Sequence, residues 1–228
     1  MNKIIAFAGL RNSGKDTVAN MAMYILNTPK FMHNFFFYKY LPSIYNKWTQ
    51  IAFADKLKQM LSVLLNINVK SFDNRFFKEN VYYDLKNHNI AFKPDNKISD
   101  KTFNKILSTD PSKLLDKSLT IRQLMQYYGS NIMRKYFGDT LWIDSSLQRI
   151  DSNVIISDLR FRVEEEAVHK FNGTIIYIER PETKPGNHAS EKEVIQLKEE
   201  NKFDYIILNY GTLKELFYQT KYILRKIK

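Results

Sequence analysis

Five short apolar runs, rich in β-branched residues, punctuate the chain: KIIAFA at 3–8, QIAFA at 50–54, NVIIS at 153–157, TIIYI at 174–178 and YIILN at 205–209. Each is apolar throughout instead of alternating, the pattern of a strand covered on both faces of a parallel sheet. Helical periodicity fills the gaps. Val18, Met21, Ala22 and Ile25 share one face after the first run. Ile121, Leu124, Met125 and Tyr128 form a second stripe behind TIRQ, where Thr120 and Gln123 have capping-box spacing. A third helix is predicted from Arg162, with Val163, Ala167 and Phe171 on its apolar side and a stop at Gly173. The capping box Thr212 and Glu215 opens a fourth, predicted to bury Leu213, Leu216, Phe217, Leu224 and Ile227. This alternation predicts an α/β fold whose five-stranded, mostly parallel sheet is flanked by helices. Residues 68–118 are polar and weakly periodic and read as an insertion lacking the apolar content for a core of its own. The expected organisation is a single domain, 1–228, with a core of 1–67 and 150–228 and an insertion at 68–149.

Composition narrows the class. With 228 residues, 44% of them hydrophobic, the chain can bury a sizeable core. No run approaches the roughly 18 apolar residues of a membrane helix. The run after Met1 leads directly into a glycine loop with no small-residue cleavage site, so it reads as a strand and not a signal peptide. The absence of cysteine excludes disulfides and thiolate metal sites. A cytoplasmic location is expected, host cytoplasm if the protein is viral. A net charge of +11 favours polyanionic ligands, although a chain this rich in Lys, Asn, Ile and Tyr also matches AT-rich coding. The charge alone leaves both readings open.

The chemistry begins at GLRNSGKDT, residues 9–17. A strand, a turn bounded by Gly9 and Gly14 and an amphipathic helix opening at Lys15 form the context of a phosphate-binding loop. Its candidate ligands for a nucleotide are the backbone amides of Gly9, Arg11, Asn12, Ser13, Gly14, Lys15, Asp16 and Thr17, with Lys15 as a mobile cation. Asp16 stands where a magnesium-binding hydroxyl is usual, and a carboxylate suits the same hard cation. Asp158 leaves the strand NVIIS as a second candidate for Mg2+, and Arg160 follows it at the carboxyl end of the sheet, where anionic ligands bind. Lys58, Arg122, Arg134 and Arg180 are further cations spaced to surround two nucleotides. NKFD at 201–204 precedes a strand instead of following one, so it is not a guanine-reading loop.

Several separated blocks together carry a resemblance. GLRNSGKDTVA, IRQLMQYYGSNIMRKYFGDTLWI, IISDLRFRVEEEAV, HASEKEV and YIILNYGTLKELF resemble, in this order, the bacteriophage-type deoxynucleoside monophosphate kinases, a branch of the P-loop nucleoside monophosphate kinase fold. The blocks cover about half of the chain; segment 28–49 and the polar insertion have no counterpart. The resemblance implies transfer of phosphate from ATP, with Mg2+, to a deoxynucleoside monophosphate. It makes Lys15, Asp158 and Arg160 catalytic and assigns Arg180 to ATP. It places Lys58, Arg122, Gln126, Arg134, Trp142, Arg160 and His188 about the acceptor in a helical acceptor-binding insertion, and makes 180–193 a short lid. Trp142 and the Tyr127–Tyr128 pair read equally as packing. A phosphate acceptor is already dianionic, so no general base is expected. The alternatives are a P-loop kinase with a hydroxyl acceptor, dephospho-coenzyme A or a 5′-hydroxyl polynucleotide, for which Asp55 would be the base, and a non-catalytic nucleic-acid-binding protein. No stable nucleic-acid complex and no membrane partner are expected for the kinase; a homodimer is compatible, and base preference is open.

Overall fold

The computed structural model describes residues 2–148, 151–186 and 189–227. In chain order the elements are β1 (Ile4–Ala8), α1 (Lys15–Leu26), α2 (Phe35–Tyr40), β2 (Trp48–Ile51), α3 (Ala54–Leu65), α4 (Arg75–Asn80), β3 (Tyr82–Asp84), β4 (Asn89–Ala91), α5 (Asp100–Thr109), β5 (Ser118–Thr120) and α6 (Ile121–Gln126). A π-helical stretch, Tyr127–Arg134, then leads to α7 (Lys135–Phe137), α8 (Leu141–Leu147), β6 (Asn153–Leu159), α9 (Arg162–Lys170), β7 (Thr174–Glu179), α10 (Ala189–Glu199), β8 (Tyr205–Leu208) and α11 (Leu213–Lys226). The chain divides into two compact units, Met1–Phe53 with Ser146–Lys228, and Ala54–Ser145.

The first unit is built on the five-stranded sheet, in order β2-β6-β1-β7-β8 and parallel throughout. The sequence expectation of an α/β fold with that sheet holds. Every residue of β1 is buried, because helices cover both faces. On one face Ile5, Phe7, Ile155, Ile176, Ile178 and Ile207 meet α1 and α11 in a single core. On that side Phe217 is fully buried and lies 5.2 Å from Tyr38 and 6.1 Å from Phe35. α9 packs on β7, and α10 on α9. The order reverses at β1, since β2 and β6 lie on one side of it and β7 and β8 on the other. The loop after β1 therefore opens at the switch point of the sheet, where ligands of such folds bind.

Three details differ from the sequence reading. The second strand is Trp48–Ile51, and Ala54, read as its last residue, opens α3. On α9 the buried residues are Glu164, Glu165 and Val168, while Phe171 is 50% exposed; the carboxylates can be buried because Glu164 accepts the N–H groups of Arg160 and Phe161 and Glu165 contacts His169. Leu213 lies exposed at the start of α11, whose Leu216, Phe217, Thr220 and Leu224 are buried.

In the second unit the 68–118 stretch shares a core with residues on either side of it. Fully buried Phe72, Phe103, Leu114 and Leu119 join Leu61, Ile121 and Leu124. A small antiparallel sheet, β4-β3-β5, lies in the same unit. The predicted Thr120–Gln123 capping box opens α6, and Gln123 also donates to the Ile98 carbonyl and to Asp100. Within this unit Gly129 lies so near Leu57 that a Cβ would come within 2.8 Å of its Cδ2.

Candidate functional site: an uncapped helix and two unpaired cations

β1 ends at Ala8 and α1 begins at Lys15, and the six residues between are held in a tight turn by the Ser13 N–H bond to the Leu10 carbonyl, 3.1 Å. Gly9 is required by crowding: a Cβ would stand 2.6 Å from Ser13 Oγ and 2.7 Å from the Ile178 carbonyl. Gly14 has φ +93°, a left-handed conformation that side chains resist, and a Cβ there would run into the Asn209 amide. As the N-cap of α1 it supplies no side-chain acceptor. The first amides of the helix are left to a ligand, and the helix dipole makes that ligand an anion.

Two side chains from distant parts of the sequence fix the turn. Asn209, just after β8, donates through Nδ2 to the Ser13 carbonyl at 2.8 Å. Glu191, buried in the first turn of α10, accepts the Arg11 N–H at 3.0 Å with one carboxylate oxygen and the Gly186 N–H with the other. Neither was singled out among the sequence-predicted site residues. Ser13 Oγ is buried and has no hydrogen-bond partner among the described residues. It lines a cavity of about 300 Å³ together with Leu10, Tyr177, Arg180, Pro181 and Lys198. Tyr177 is held protonated there, its pKa pushed up to about 12 by burial and by the Glu179 and Glu191 carboxylates.

Lys15 is only 5% exposed. Burial, followed by repulsion from Arg160, lowers its pKa from 10.5 to about 8, against the pull of Asp16, Asp158 and Glu191. Arg160 is half-buried, its own N–H bound at 2.8 Å to Glu164 at the head of α9. Among the described residues neither the Lys15 ammonium nor the Arg160 guanidinium makes a hydrogen bond or ion pair. Asp158 sits at the end of β6, where one oxygen accepts the Phe53 N–H at 2.8 Å. Asp16 is exposed in the first turn of α1, beside half-buried Thr17. Lys15, Asp16, Asp158 and Arg160 are thus electrostatic neighbours, as the sequence places them. Gly9, Arg11, Asn12, Ser13, Gly14 and Thr17 complete the turn, with Asn12 in the left-handed region at φ 66°. Arg180 is exposed at the rim of the cavity. Arg162, by contrast, is committed to a bidentate pair with Glu200, at 2.7 and 2.8 Å.

The other sequence-predicted residues belong to the second unit. Lys58 is paired with Asp55 at 3.0 Å and Asp73 at 2.9 Å; burial alone would depress its pKa, and these two bonds outweigh it, so the pKa is raised. Arg122 lies 3.2 Å from Glu79. Gln126 ends α6 half-buried, and Arg134 ends the π-helical stretch, buried. Trp142 is buried and spends its indole N–H on the Gly129 carbonyl at 3.1 Å, and Tyr127 and Tyr128 pack edge to face. His188 lies outside the described residues. Among those described, no group of three or more His, Cys, Asp and Glu side chains could hold a metal ion, and no helix is long and apolar enough to cross a membrane.

Comparison with known proteins points to one family. The family model for deoxynucleotide monophosphate kinase matches residues 3–220. A protein of Acanthamoeba polyphaga mimivirus assigned as a deoxynucleotide monophosphate kinase is 28% identical over 116 residues, 44% of this chain and 58% of that one. The deoxynucleotide monophosphate kinase of enterobacteria phage T4 is 27% identical over 130 residues, 54% of this chain and 52% of that one. The chain thus spans about half the length of the curated relatives it matches. Among solved structures, dephospho-CoA kinase from Campylobacter jejuni superimposes with a TM-score of 0.41 at 16% identity, covering 100% of this chain and 98% of the other. On the match to nearly its whole length, the chain belongs to the deoxynucleotide monophosphate kinase family.

Proposed function

We propose that the protein transfers the terminal phosphoryl group of ATP to a deoxynucleoside monophosphate, giving ADP and a deoxynucleoside diphosphate. The observation that carries this reading is the buried Lys15 ammonium at the N-terminus of α1, which has no side-chain cap, held close enough to the Arg160 guanidinium to be repelled by it. A triphosphate has the charge to relieve that repulsion. Its oxygens take the amides from Ser13 to Thr17, and Lys15 and Arg160 neutralise the negative charge on the group in transfer. An oxygen of the acceptor phosphate attacks the terminal phosphorus in line, and the bridging oxygen leaves with ADP. Because the acceptor is already an anion, no side chain has to remove a proton. This agrees with Asp55, the base that a hydroxyl acceptor would require, standing in an ion pair with Lys58. Arg180 and the 180–193 segment are assigned to the ATP side as a lid, and Lys58, Arg122, Gln126 and Arg134 to the acceptor. Trp142, buried with its N–H already taken by the Gly129 carbonyl, is assigned to packing.

Asp16 and Asp158 fit Mg2+. Magnesium is held by one or two carboxylates together with substrate phosphates and water, not by an all-protein cage, and the donor set here is two carboxylates. Bound there, the ion would offset phosphate charge.

The direct test is ADP release with ATP and each of the eight common nucleoside monophosphates. Turnover on at least one deoxynucleotide, abolished in Lys15→Ala, is expected. A folded protein that turns over none of them refutes the reading.

A further inference from the structure

The segment joining α1 to β2 carries rings that the fold leaves in solvent. α2 packs Phe35, Phe37 and Tyr38 against the core, while Phe36 and Tyr40 project outward, 65% and 61% exposed, with ring centroids 5.0 Å apart. Phe31, just upstream, is 76% exposed. α11 lies alongside: Phe217 packs on Phe35 and Tyr38, and the Lys221 ammonium donates to the His33 carbonyl. α11 itself exposes Tyr218 and Tyr222. Within one compact unit, α2 and α11 thus display solvent-facing rings on adjoining elements.

The charges on these elements are, with one exception, positive. From Thr17 to Ala54 the sequence contains no carboxylate, and it carries Lys30, Lys39 and Lys47. From Tyr205 to the C-terminus the sole carboxylate is Glu215, which is engaged in capping α11 through Thr212. The cations sit by the rings: Lys39 is 5.2 Å from the Tyr40 centroid, Lys221 is 5.7 Å from Tyr218, and Lys226 is 4.5 Å from Tyr222. Charge complementarity therefore calls for a polyanion, and the rings call for one with flat apolar faces.

We propose that this α2–α11 face binds single-stranded nucleic acid, its exposed rings stacking on bases and its lysines neutralising phosphates. Unpaired bases offer a π-face to any ring, and a lysine beside each of the three tyrosines matches a backbone phosphate beside a base. A duplex keeps its bases stacked on one another and has no such faces to give. An anionic membrane would meet the lysines, but three of the five rings are tyrosines, suited to the headgroup level, which leaves only Phe31 and Phe36 to enter the acyl chains. The face is also separate from the phosphate loop. α1 has that loop at its N-terminus, and the exposed segment follows its C-terminus, with twelve residues, about 18 Å of helix, between them. The proposal does not rest on the kinase reading.

The experiment measures binding of the intact protein to a fluorescent 20-nucleotide oligothymidine, to a duplex of the same length and to phosphatidylserine-containing vesicles, across a salt series. Tightest binding to the single strand is expected, with a Phe36→Ala/Tyr40→Ala variant losing at least about fivefold per ring at unchanged salt slope. A Lys39→Gln/Lys226→Gln variant should flatten the slope instead. Both pairs are exposed, and melting temperature and ADP release, read on every variant, should stay at the parent values. Equal affinity for the duplex, tighter binding to vesicles, indifference to loss of the rings, or no binding at low salt overturns the proposal.

Discussion

Replacing Lys15 by methionine should make the ligand-free protein more stable while destroying its activity. The ammonium is buried at 5% exposure, beside the Arg160 guanidinium, and its pKa falls from 10.5 to about 8. At about 1.4 kcal/mol per pH step, the folded state at neutral pH carries a cost of about 3 kcal/mol for holding that proton. Methionine keeps most of the stem and removes the charge. For a chain of this size the gain corresponds to a rise of roughly 6–12 °C in melting temperature. The pH dependence follows from linkage. Below pH 8 Lys15 is charged in both folded and unfolded chains, and the cost is present in full. Between about 8 and 10.5 the unfolded chain holds a proton that the folded one has released, so the parent gains stability as pH rises and the advantage of Lys15→Met shrinks to nothing. Urea unfolding of both proteins at pH 7, 9 and 10.5 measures the difference directly. Phosphates that neutralise the pocket should raise the Lys15 pKa again, so nucleotide binding above pH 8 should take up a proton, detectable by calorimetry in buffers of different ionisation enthalpy. Equal or lower stability of Lys15→Met at pH 7, or a difference that grows with pH, would show that the ammonium is not held at electrostatic cost.

Three further outcomes test the supports of the site. Gly14→Ala combines a left-handed backbone with a collision at Asn209, so it should cost about 1–3 kcal/mol in stability and abolish ATP binding; retention of ATP affinity would show that the turn is not needed in this form. Glu191→Gln turns an acceptor of two N–H groups into one whose amide nitrogen opposes a donor, and should raise the KM for ATP about tenfold with a smaller effect on kcat; an unchanged KM would mean that Arg11 is held by the rest of the loop. Arg134→Ala should raise the acceptor KM by about 10- to 100-fold and leave ATP affinity alone, and steady-state kinetics with each substrate varied in turn decides it.

The sheet was legible because its inner strands are buried on both faces and so are largely apolar; β1 and β7 need no partner to be recognised. The boundary at Ala54 was not, since Phe53 is buried whether it ends a strand or precedes a helix. The α9 stripe was misread for a chemical reason. Glu164 and Glu165 look like solvent residues until their acceptors find N–H groups and a histidine, contacts that no periodicity encodes. In the second unit Phe72, Phe103 and Leu114 are buried singly among polar neighbours, each from a different short element, so no window of sequence shows a face. The phosphate loop is local in sequence and its context announced it. Its two anchors are not: Asn209 lies 196 residues from Ser13, and Glu191 lies 180 from Arg11. A single sequence offers no signal for such pairs beyond their place at the carboxyl end of β8 and at the head of α10.

The cations of the two units differ in how their charge is met, and the difference bears on substrate discrimination. In the first unit no carboxylate among the described residues is bonded to Lys15 or Arg160, so an incoming polyphosphate displaces no existing partner and relieves their repulsion. In the second unit Lys58 already has two carboxylates and Arg122 has Glu79. An anion that claims Lys58 or Arg122 has to compete with an existing partner or join it, and the gain is only the difference between the two arrangements. Free phosphate or pyrophosphate offers charge alone and gains little there. A nucleotide that also fills space with its sugar and base can meet the cost from those contacts. If Lys58 and Arg122 hold the acceptor as proposed, their existing partners make its binding depend on the nucleoside as well as on the phosphate, and so favour a nucleotide over inorganic phosphate.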